Sequence, residues 1–398
     1  MMVNSRGSDR GSATGVLLHA GLVFGVVAGP VLYPAWLAAR TRRCGDPTAP
    51  VAEEWPMLSV VVPAYREQSV IAGKITDVMT NGYPGPFEVI VVADDQATAA
   101  VARLTEARVI EGHRRQGKSA ALSRGVAAAT GEVVVMTDAN TVLWPGSLAA
   151  LVRWMADPSI GAVAGEKQVE GQGEGLYWQY ESWLKRREFR LGSTVALVGE
   201  LAAVRRSCWR PVPVEVAIDD LWIALDALEG GWRVAYEPAA VAVEVGAENV
   251  RDTWERRTRV VAGTFDLLWR RRRLLVRRDL VAAELWGHKL LRQSVGPLAH
   301  ALGLALALQR SSRSAVAAGV VGAHGAGLVA VAGLLMGRPM PRVVAVGGEV
   351  LFLHAVAVAG MVRYLRGDRP AVWSKPERTG GLPDISAGRS AVNHAGHA

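Results

Sequence analysis

The sequence GKSAALSRGVAAATGEVVVMTDANT, residues 117–141, joins an Ala-rich segment typical of a helix to a short β-branched strand, EVVVMTD, that ends in an acid. Two similar strands lie upstream, LSVVVP at 58–63 and EVIVVA at 88–93, with helical stretches between the strands. Strands that are apolar throughout, rather than at alternate residues, are typical of parallel sheets covered by helices on both faces. The sequence therefore predicts an α/β fold with a mostly parallel sheet.

Apolar runs flank this block on both sides. Residues 15–39 contain no Lys, Arg, Asp or Glu. The length of this run, 25 residues, exceeds the about 20 residues that a transmembrane helix needs. The alternative, a signal peptide, normally has a shorter apolar core of about 7–15 residues. Further apolar runs lie at 294–308, 315–337 and 343–362. We predict transmembrane helices at both ends, and we expect the short first C-terminal run, which contains Pro297, to lie in the membrane interface.

The overall composition agrees with a membrane protein. The 398 residues are 50% hydrophobic and carry a net charge of +8, and the mean hydropathy of +0.17 is high for a soluble chain. A basic balance fits either nucleic acid or an anionic membrane surface, and the apolar runs favour the membrane, so we expect no nucleic-acid partner. Two cysteines, Cys44 and Cys208, exclude a disulfide framework and a cysteine-based zinc site.

Six segments follow from these patterns. Arg40, Arg42 and Arg43 directly follow the first apolar run, and the positive-inside rule places such residues on the cytosolic side. The basic stretch WRRRRLLVRRD (269–279) is expected to meet anionic lipid; a solvated face is the alternative. The predicted segments are a tail (1–14), a transmembrane helix (15–39), the α/β domain (57–265), a basic interfacial segment (266–293), membrane helices (294–364) and a C-terminal tail (365–398).

Acidic residues follow two of the predicted strands. Asp94 and Asp95 come after the second strand, and Asp138 and Asn140 end the third. The carboxyl ends of parallel strands meet at the edge where α/β sheets bind ligands, and like charges gathered there require a cation or hydrogen-bond donors. Carboxylate and carbonyl oxygens suit Mg or Mn. The sequence therefore predicts a nucleotide and a divalent metal at this edge; alternatively, Asp138 caps a helix that begins after Pro145.

Eight motifs occur in a characteristic order along the chain. They are VVPAYREQ (61–68), EVIVVAD (88–94), the stretch at 117–141, YWQYESWLK (177–185), GELAAVRR (199–206), IDDLWIAL (218–225), GWRVAYEP (231–238) and RRTRVVAG (256–263). In this order they resemble the membrane-bound family 2 glycosyltransferases of the polysaccharide-synthase type, which have a GT-A fold. GHKLLRQSVGP (287–297) and VWSKPERT (372–379) add weaker support near the membrane.

This resemblance implies an inverting transfer from a nucleotide-diphosphate sugar to a lipid-linked or polysaccharide acceptor. It also implies a divalent metal (Mg or Mn), contacts with membrane lipids, and a multi-pass protein of the cell membrane with its catalytic domain in the cytosol. The positions that match the family's motifs are the nucleoside loop Pro63, Ala64, Tyr65 and Glu67, the base-recognition acid Asp94, the donor-site Lys118, the metal-binding Asp138 and Asn140, the general base Asp220, and the diphosphate-binding Arg256 and Arg259.

Elementary chemistry agrees with these implied roles. An inverting transfer needs one base within hydrogen-bond reach of the acceptor hydroxyl, and it needs cations to neutralise the leaving diphosphate. Asp220 follows an apolar Val-Ala-Ile sequence, which favours a raised pKa. Alternatively, Asp219 and Asp220 cap the helix that follows them. The alternative for Arg256 and Arg259 is contact with lipid headgroups.

Several positions depart from the family pattern. Asn140 replaces the second acid of the metal motif, Asp95-Gln96 replaces a Gly-Ser pair, Arg256 replaces a Gln, and Val260 replaces a Trp that holds a growing polymer. Two other functions therefore stay open. One is the addition of a single sugar to polyprenyl phosphate, and the other is an inactive membrane scaffold that keeps the fold.

Overall fold

The structure, a computed structural model, describes residues 24–26, 28–112, 115–170, 175–245, 250–335, 338, 341–368 and 381–383. The strands in these residues are β1 (Leu58–Ala64), β2 (Phe87–Ala93), β3 (Arg108–Glu111), β4 (Val133–Thr137), β5 (Thr141–Leu143), β6 (Ile160–Glu170), β7 (Leu201–Arg205) and β8 (Arg233–Val245). These eight described strands form one sheet in the order β3-β2-β1-β4-β7-β6-β8-β5.

The sheet is mixed but mostly parallel, as predicted, because six of the eight described strands run in one direction and β6 pairs parallel with β8. Strands β3, β2, β1 and β4 are parallel, and all residues of β4 are buried, as expected for apolar strands covered on both faces. Strand β7 runs antiparallel between β4 and β6, and β5 pairs antiparallel with β8. The sequence pattern identified the strands β1, β2 and β4, whereas the reversed directions depend on later, non-local pairing.

Helices connect and cover the strands. The first helix after β1 begins at Ile71, so residues 65–70 form the loop that follows this strand. The α-helices are α1 (Tyr33–Arg40), α2 (Ile71–Met79), α3 (Gln96–Ala102), α4 (Lys118–Ala128), α5 (Ser147–Val152), α6 (Gly175–Arg190), α7 (Asp219–Glu229), α8 (Val250–Arg270), α9 (Arg272–Leu275), α10 (Leu280–Glu284), α11 (Gly296–Arg310), α12 (Ala315–Leu335) and α13 (Arg342–Leu365).

The described residues belong to two compact units. The sheet unit comprises the described residues of 41–248, 266–281 and 369–398, and the helical unit comprises those of 1–40, 249–265 and 282–368. The predicted N-terminal tail, the beginning of the predicted first membrane helix, the VWSKPERT motif and most of the C-terminal tail lie outside the described residues.

Two helices of the helical unit are long and apolar enough to cross a bilayer. They are the segments Ala315–Gly333 and Val346–Leu365, and within the described part of the chain no other segment meets these criteria. Helix α11 is shorter, at 15 residues. The N-terminal run consists, where described, of π-helical turns at Ala28–Leu32 followed by α1. A membrane helix at the N-terminal end therefore stays a prediction.

Three histidines form a hydrogen-bonded chain across α11, α12 and α13. His300 Nδ1 lies 2.5 Å from His354 Nδ1, and His300 Nε2 lies 2.6 Å from His324 Nε2. His324 Nδ1 lies 2.7 Å from the carbonyl oxygen of Val320. Because a carbonyl only accepts, His324 donates to it from Nδ1. Each histidine thus bonds to a helix other than its own.

The basic segment after α8 is partly used for ion pairs inside the sheet unit. Arg271 lies 2.5 Å from Asp226, also contacts Glu229, and stacks 4.0 Å above the Trp222 ring. In contrast, Arg272, Arg273, Arg277 and Arg278 are exposed. Only the exposed arginines of this segment fit the predicted contact with lipid.

Helix α4 packs very closely on the sheet, and Gly125 is the residue that permits this. A Cβ atom built at Gly125 would overlap Val61 of β1 and lie 3.1 Å from Val92 of β2. We expect Gly125→Ala to lower the stability of the sheet unit by about 1–3 kcal/mol, as overpacking does, even though Ala is the better helix former.

Thermal unfolding of the full chain in detergent checks this prediction. The control is Gly45→Ala, where an added Cβ atom meets no atom within 4 Å. A Gly125→Ala protein that unfolds at the wild-type midpoint would contradict the close approach of α4 to β1.

Candidate active site

Sheet register brings two acids together at one edge. Strand β4 ends at Thr137, which pairs with Leu201, the first residue of the antiparallel strand β7. Asp138, which follows Thr137, and Glu200, which precedes Leu201, therefore lie at the same edge. The alternative helix-cap role for Asp138 is wrong, because α5 begins at Ser147 and its N-cap residue is Gly146.

Lys118 is the cation at the centre of this edge. It is the first residue of α4, and it follows Gly117, whose φ of +95° lies in the region that favours glycine. Its ammonium nitrogen lies 2.7 Å from Asp138 Oδ1, 3.6 Å from Asp219 Oδ2 and 3.2 Å from the Gly199 carbonyl oxygen. One lysine thus joins residues from β4, α7 and the turn before β7.

Asp219 and Asp220 enter the site from the start of α7. The N-cap residue of α7 is Ile218, which makes no side-chain capping bond, so the alternative in which these acids cap the helix is wrong. A Cβ atom built at Gly199 would lie 3.7 Å from Asp220 Oδ2 and 3.2 Å from Lys118 Nζ. Asp220 therefore lies beside the same turn that Lys118 contacts.

We call the four acids at this edge the carboxylate cluster: Asp138, Glu200, Asp219 and Asp220. Burial and the neighbouring Asp219 charge raise the pKa of Asp220 to about 6. Burial also raises the pKa of Asp138, against the opposing effect of Lys118. For Lys118, burial alone would lower the pKa, but the nearby carboxylates raise it above its usual value.

The loop after β1 is fixed by Asp95 and Thr98. Arg66 has a φ of +54°, and its backbone N–H donates to Asp95 Oδ2 at 2.7 Å. Asp95 also caps α3 by accepting from the Thr98 N–H at 2.9 Å, and the Thr98 hydroxyl accepts from the backbone N–H of Glu67 at 2.9 Å. The residues that depart from the family pattern after Asp94 thus hold the loop formed by Pro63, Ala64, Tyr65 and Glu67.

Two arginines accompany this loop. The Arg115 guanidinium lies 4.1 Å above the Tyr65 ring, and Arg124 forms an ion pair with Asp94. Asp94 is 9% exposed, and Gly112 lies so close that an added Cβ atom would overlap this pair. The predicted base-recognition acid is therefore held in one position by Arg124.

Asn140 lies next to a second acidic group on β8. Its Nδ2 donates to Glu244 Oε1 at 3.1 Å, and Glu244 Oε2 accepts from Lys167 Nζ at 2.6 Å. Lys167 also contacts Glu200. This arrangement links Asn140 to the carboxylate cluster through buried side chains.

The charge balance of the site fits a divalent cation. Two ammonium groups, Lys118 and Lys167, accompany five carboxylates, which are Glu244 and the four of the carboxylate cluster. Among the described residues, no group of three His, Cys, Asp or Glu side chains is arranged as a ready metal site. The excess of hard oxygen ligands nevertheless suits Mg or Mn, and the oxygens of Asp138 and Asn140 are the candidates to hold such an ion.

Sequence reasoning found part of this arrangement. Lys118, Asp138 and Asp220 come together as expected, whereas Arg256 and Arg259 lie on the part of α8 that belongs to the helical unit, so their role stays a prediction. The residues that sequence reasoning missed are Glu200, Lys167, Glu244, Arg115 and Arg124. A signal existed for Glu200, which lies in the GELAAVRR motif, whereas Glu244 shares its strand with a second acid, Glu237, and nothing in the sequence set it apart.

Comparison with known families bears on the central part of the sheet unit. Residues 59–207 match the sequence model of glycosyl transferase family 2. This part of the chain is similar to that family. This confirms the resemblance drawn from the motifs, and the match covers β1 to β7, including Lys118, Asp138 and Glu200.

Proteins similar to this chain include an N-acetylglucosaminyltransferase of Mesorhizobium japonicum, which is 24% identical over 250 residues, or 56% of this chain and 58% of the relative. A poly-beta-1,6-N-acetyl-D-glucosamine synthase of Staphylococcus aureus is 21% identical over 55% of this chain and 57% of the synthase. The chain thus spans little more than half the length of the curated relatives that it matches.

A solved structure extends the likeness beyond the sheet unit. The mannosyltransferase PcManGT of Pyrobaculum calidifontis, determined with GDP-Man and Mn2+, superposes with a TM-score of 0.73 and 26% identity, covering 87% of this chain and 99% of that one. The likeness confirms the predicted GT-A-like α/β sheet.

The raised pKa of Asp220 has a consequence for stability. The pKa of the Asp220 carboxyl is 3.8 in the unfolded chain and about 6 in the folded protein. Its ionisation therefore lowers the free energy of unfolding. This loss is complete above pH 6 and absent below pH 3.8. Asp220→Asn should therefore stabilise the protein at pH 8 by about 1–3 kcal/mol, with a smaller gain at pH 5. Unfolding midpoints measured at both pH values check this, and an equal gain at both would contradict the raised pKa.

Proposed function

We propose that this protein is an inverting glycosyltransferase that moves a sugar from a nucleotide-diphosphate sugar to a lipid-linked or polysaccharide acceptor. The observation that carries the proposal is the carboxylate cluster around Lys118, in which Asp220 has a pKa of about 6. A carboxylate with such a pKa is ionised at neutral pH and is a stronger base than an ordinary aspartate, which is what proton abstraction requires.

Asp220 is the general base of the proposed reaction. It accepts the proton of the acceptor hydroxyl while that oxygen bonds to the anomeric carbon of the sugar. The bond from the anomeric carbon to the diphosphate breaks on the opposite face, and its electron pair leaves with the phosphate oxygen, so the configuration inverts. Asp219, held by Lys118 at 3.6 Å, keeps a second negative charge beside Asp220 and so maintains its basicity.

The donor is held by the loop at the edge of the parallel strands. Pro63, Ala64, Tyr65 and Glu67 bind the nucleoside, and Asp94, fixed by Arg124, recognises the base. Arg256 and Arg259 bind the diphosphate, since guanidinium groups pair with phosphate oxygens through two hydrogen bonds and stay charged. Lys118 adds positive charge near the donor while it keeps the carboxylate cluster together.

A divalent ion, Mg or Mn, completes the donor site in this proposal. Asp138 and Asn140 would hold it, and it would neutralise the charge that develops on the leaving diphosphate. The likeness to the mannosyltransferase determined with GDP-Man and Mn2+ supports both the ion and the class of donor.

We place the reaction at the cytosolic face of the cell membrane. Support comes from the two apolar helices of the helical unit, from Arg40, Arg42 and Arg43 after the N-terminal apolar run, and from the basic segment that follows α8. The protein is then multi-pass, with membrane lipids around its apolar helices and its acceptor within reach of the bilayer.

One observation favours the transfer of a single sugar over polymer synthesis. Val260 stands where the family has the Trp that holds a growing polymer. Polyprenyl phosphate is the acceptor of this second candidate function.

Radiolabelled donors test the proposed function directly. Membranes containing the protein are incubated with UDP-N-acetylglucosamine or GDP-mannose, the product is separated by extraction into solvent, and its size is measured on a gel. We expect labelled product that disappears in EDTA and in the Asp138→Ala variant, with the exposed Glu106→Ala as the control. Activity that persists unchanged in EDTA would contradict the metal, and a protein that transfers no sugar would be a scaffold.

Replacing the base should separate chemistry from binding. Asp220→Asn keeps the size of the side chain and removes the proton acceptor, so we expect turnover to fall about 10²–10⁴-fold with little change in donor affinity. In the wild type, kcat/KM should fall as the pH drops below about 6, because the base becomes protonated. Near-normal turnover in Asp220→Asn would place the base elsewhere, with Asp219 the first alternative.

A further inference from the structure

We propose that Glu244 supplies the negative charge that position 140 lacks, and that it turns the Asn140 amide so that its oxygen is the atom available to a divalent cation. Glu244 would thus be a positioning residue, acting through Asn140. This inference rests on the proposed function, because the cation is the one that the donor site would bind.

Sheet register places the two side chains together. Strands β5 and β8 are antiparallel, and Thr141 pairs with Glu244, so Asn140 lies one residue from the acid. Asn140 Nδ2 donates to Glu244 Oε1 at 3.1 Å. An amide nitrogen donates hydrogen bonds, whereas the amide oxygen is the atom that ligates hard cations. By binding the nitrogen, Glu244 selects the orientation in which Oδ1 points away from the acid.

Lys167 fixes Glu244 in turn. Its ammonium nitrogen lies 2.6 Å from Glu244 Oε2 and also contacts Glu200, and the Trp178 ring lies 4.6 Å from it. Lys167 is 2% exposed and Glu244 is 7% exposed, so this pair is stable only with its partners in place. Since Lys167 occupies Oε2, the other carboxylate oxygen is directed to Asn140.

The charges explain why an amide and not an acid stands at position 140. An aspartate there would bring a second carboxylate to about the hydrogen-bond distance from Glu244, and two such groups cannot both ionise cheaply in a buried place. Asn140 and Glu244 together therefore provide one carboxylate, paired with Lys167, and one amide oxygen ligand. Exchanging the acid and the amide between the two positions keeps one carboxylate and one amide at this place, and Lys167 keeps its other partner, Glu200.

Binding of Mn2+ tests this without any turnover. Full-length protein in detergent is titrated with Mn2+ in the presence of UDP or GDP, and free Mn2+ is measured by electron paramagnetic resonance. We expect Glu244→Gln to weaken Mn2+ binding at least about tenfold, and Asn140→Asp alone not to tighten it. The double variant Asn140→Asp with Glu244→Gln should return to within about threefold of wild type.

Glu237→Gln is the matched control. Glu237 lies on the same strand, is buried at 3% exposure, and binds Arg153 and Trp154 at 2.8 Å. Its neutralisation removes a buried acid of β8 without touching Asn140, so Mn2+ binding should stay at the wild-type value. Thermal unfolding of each variant separates loss of fold from loss of binding.

Four results would overturn the inference. They are wild-type Mn2+ affinity in Glu244→Gln, tighter binding in Asn140→Asp alone, no rescue in the double variant, and a wild-type protein that binds no Mn2+ with either nucleotide. The Mn2+ measurement requires no acceptor and no reaction. If the variants bind Mn2+ as expected but the protein transfers no sugar, the proposed function is contradicted and the inference about Glu244 is not.

Discussion

Four carboxylates gather around one ammonium group at the edge of the sheet, and the geometry of the candidate site depends on that pairing. Asp138 is carried by β4, Glu200 by the turn before β7, and Asp219 and Asp220 by α7, so three elements deliver negative charge to one place. Lys118 contacts two of these acids and the Gly199 carbonyl. Without it, repulsion within the cluster would act directly against the docking of α7 on the sheet.

The same crowding gives the site its chemistry. Asp220 is a stronger base than a solvated aspartate because burial and the neighbouring Asp219 disfavour its ionised form. The ionised Asp220 lowers the stability of the folded protein. A site that stabilised this charge would make the protein more stable, but it would also lower the pKa of Asp220 and make it a weaker base. Stability and reactivity are therefore opposed at one residue, which is common at active sites.

Local sequence signals were sufficient for the parts of the fold that depend on consecutive residues. The apolar strands, the acids that follow them, and Lys118 at the start of a helix could be predicted because each lies inside one strand–turn–helix segment. Glu244 and Lys167 could not, since their positions depend on the register between β5, β6 and β8, strands separated by long stretches of chain. The same limit explains why the two reversed strands, β5 and β7, were not predicted within the mostly parallel sheet, because their directions depend on pairing with β8 and with β4 and β6.

The histidine chain of the helical unit fixes how far each helix is shifted along its axis relative to the other two. Helix α12 consists mainly of Ala, Gly and Val, and such a surface packs about equally well after a slide of one turn, roughly 5.4 Å. Such a slide would separate His324 from His300 and leave polar nitrogens without partners in an apolar setting, which is costly. With neutral rings, the Val320 carbonyl also dictates the tautomer of all three histidines, since each donor requires an acceptor in the next ring. The bonds between the histidines therefore align the three helices, and one backbone oxygen fixes the direction in which those bonds run.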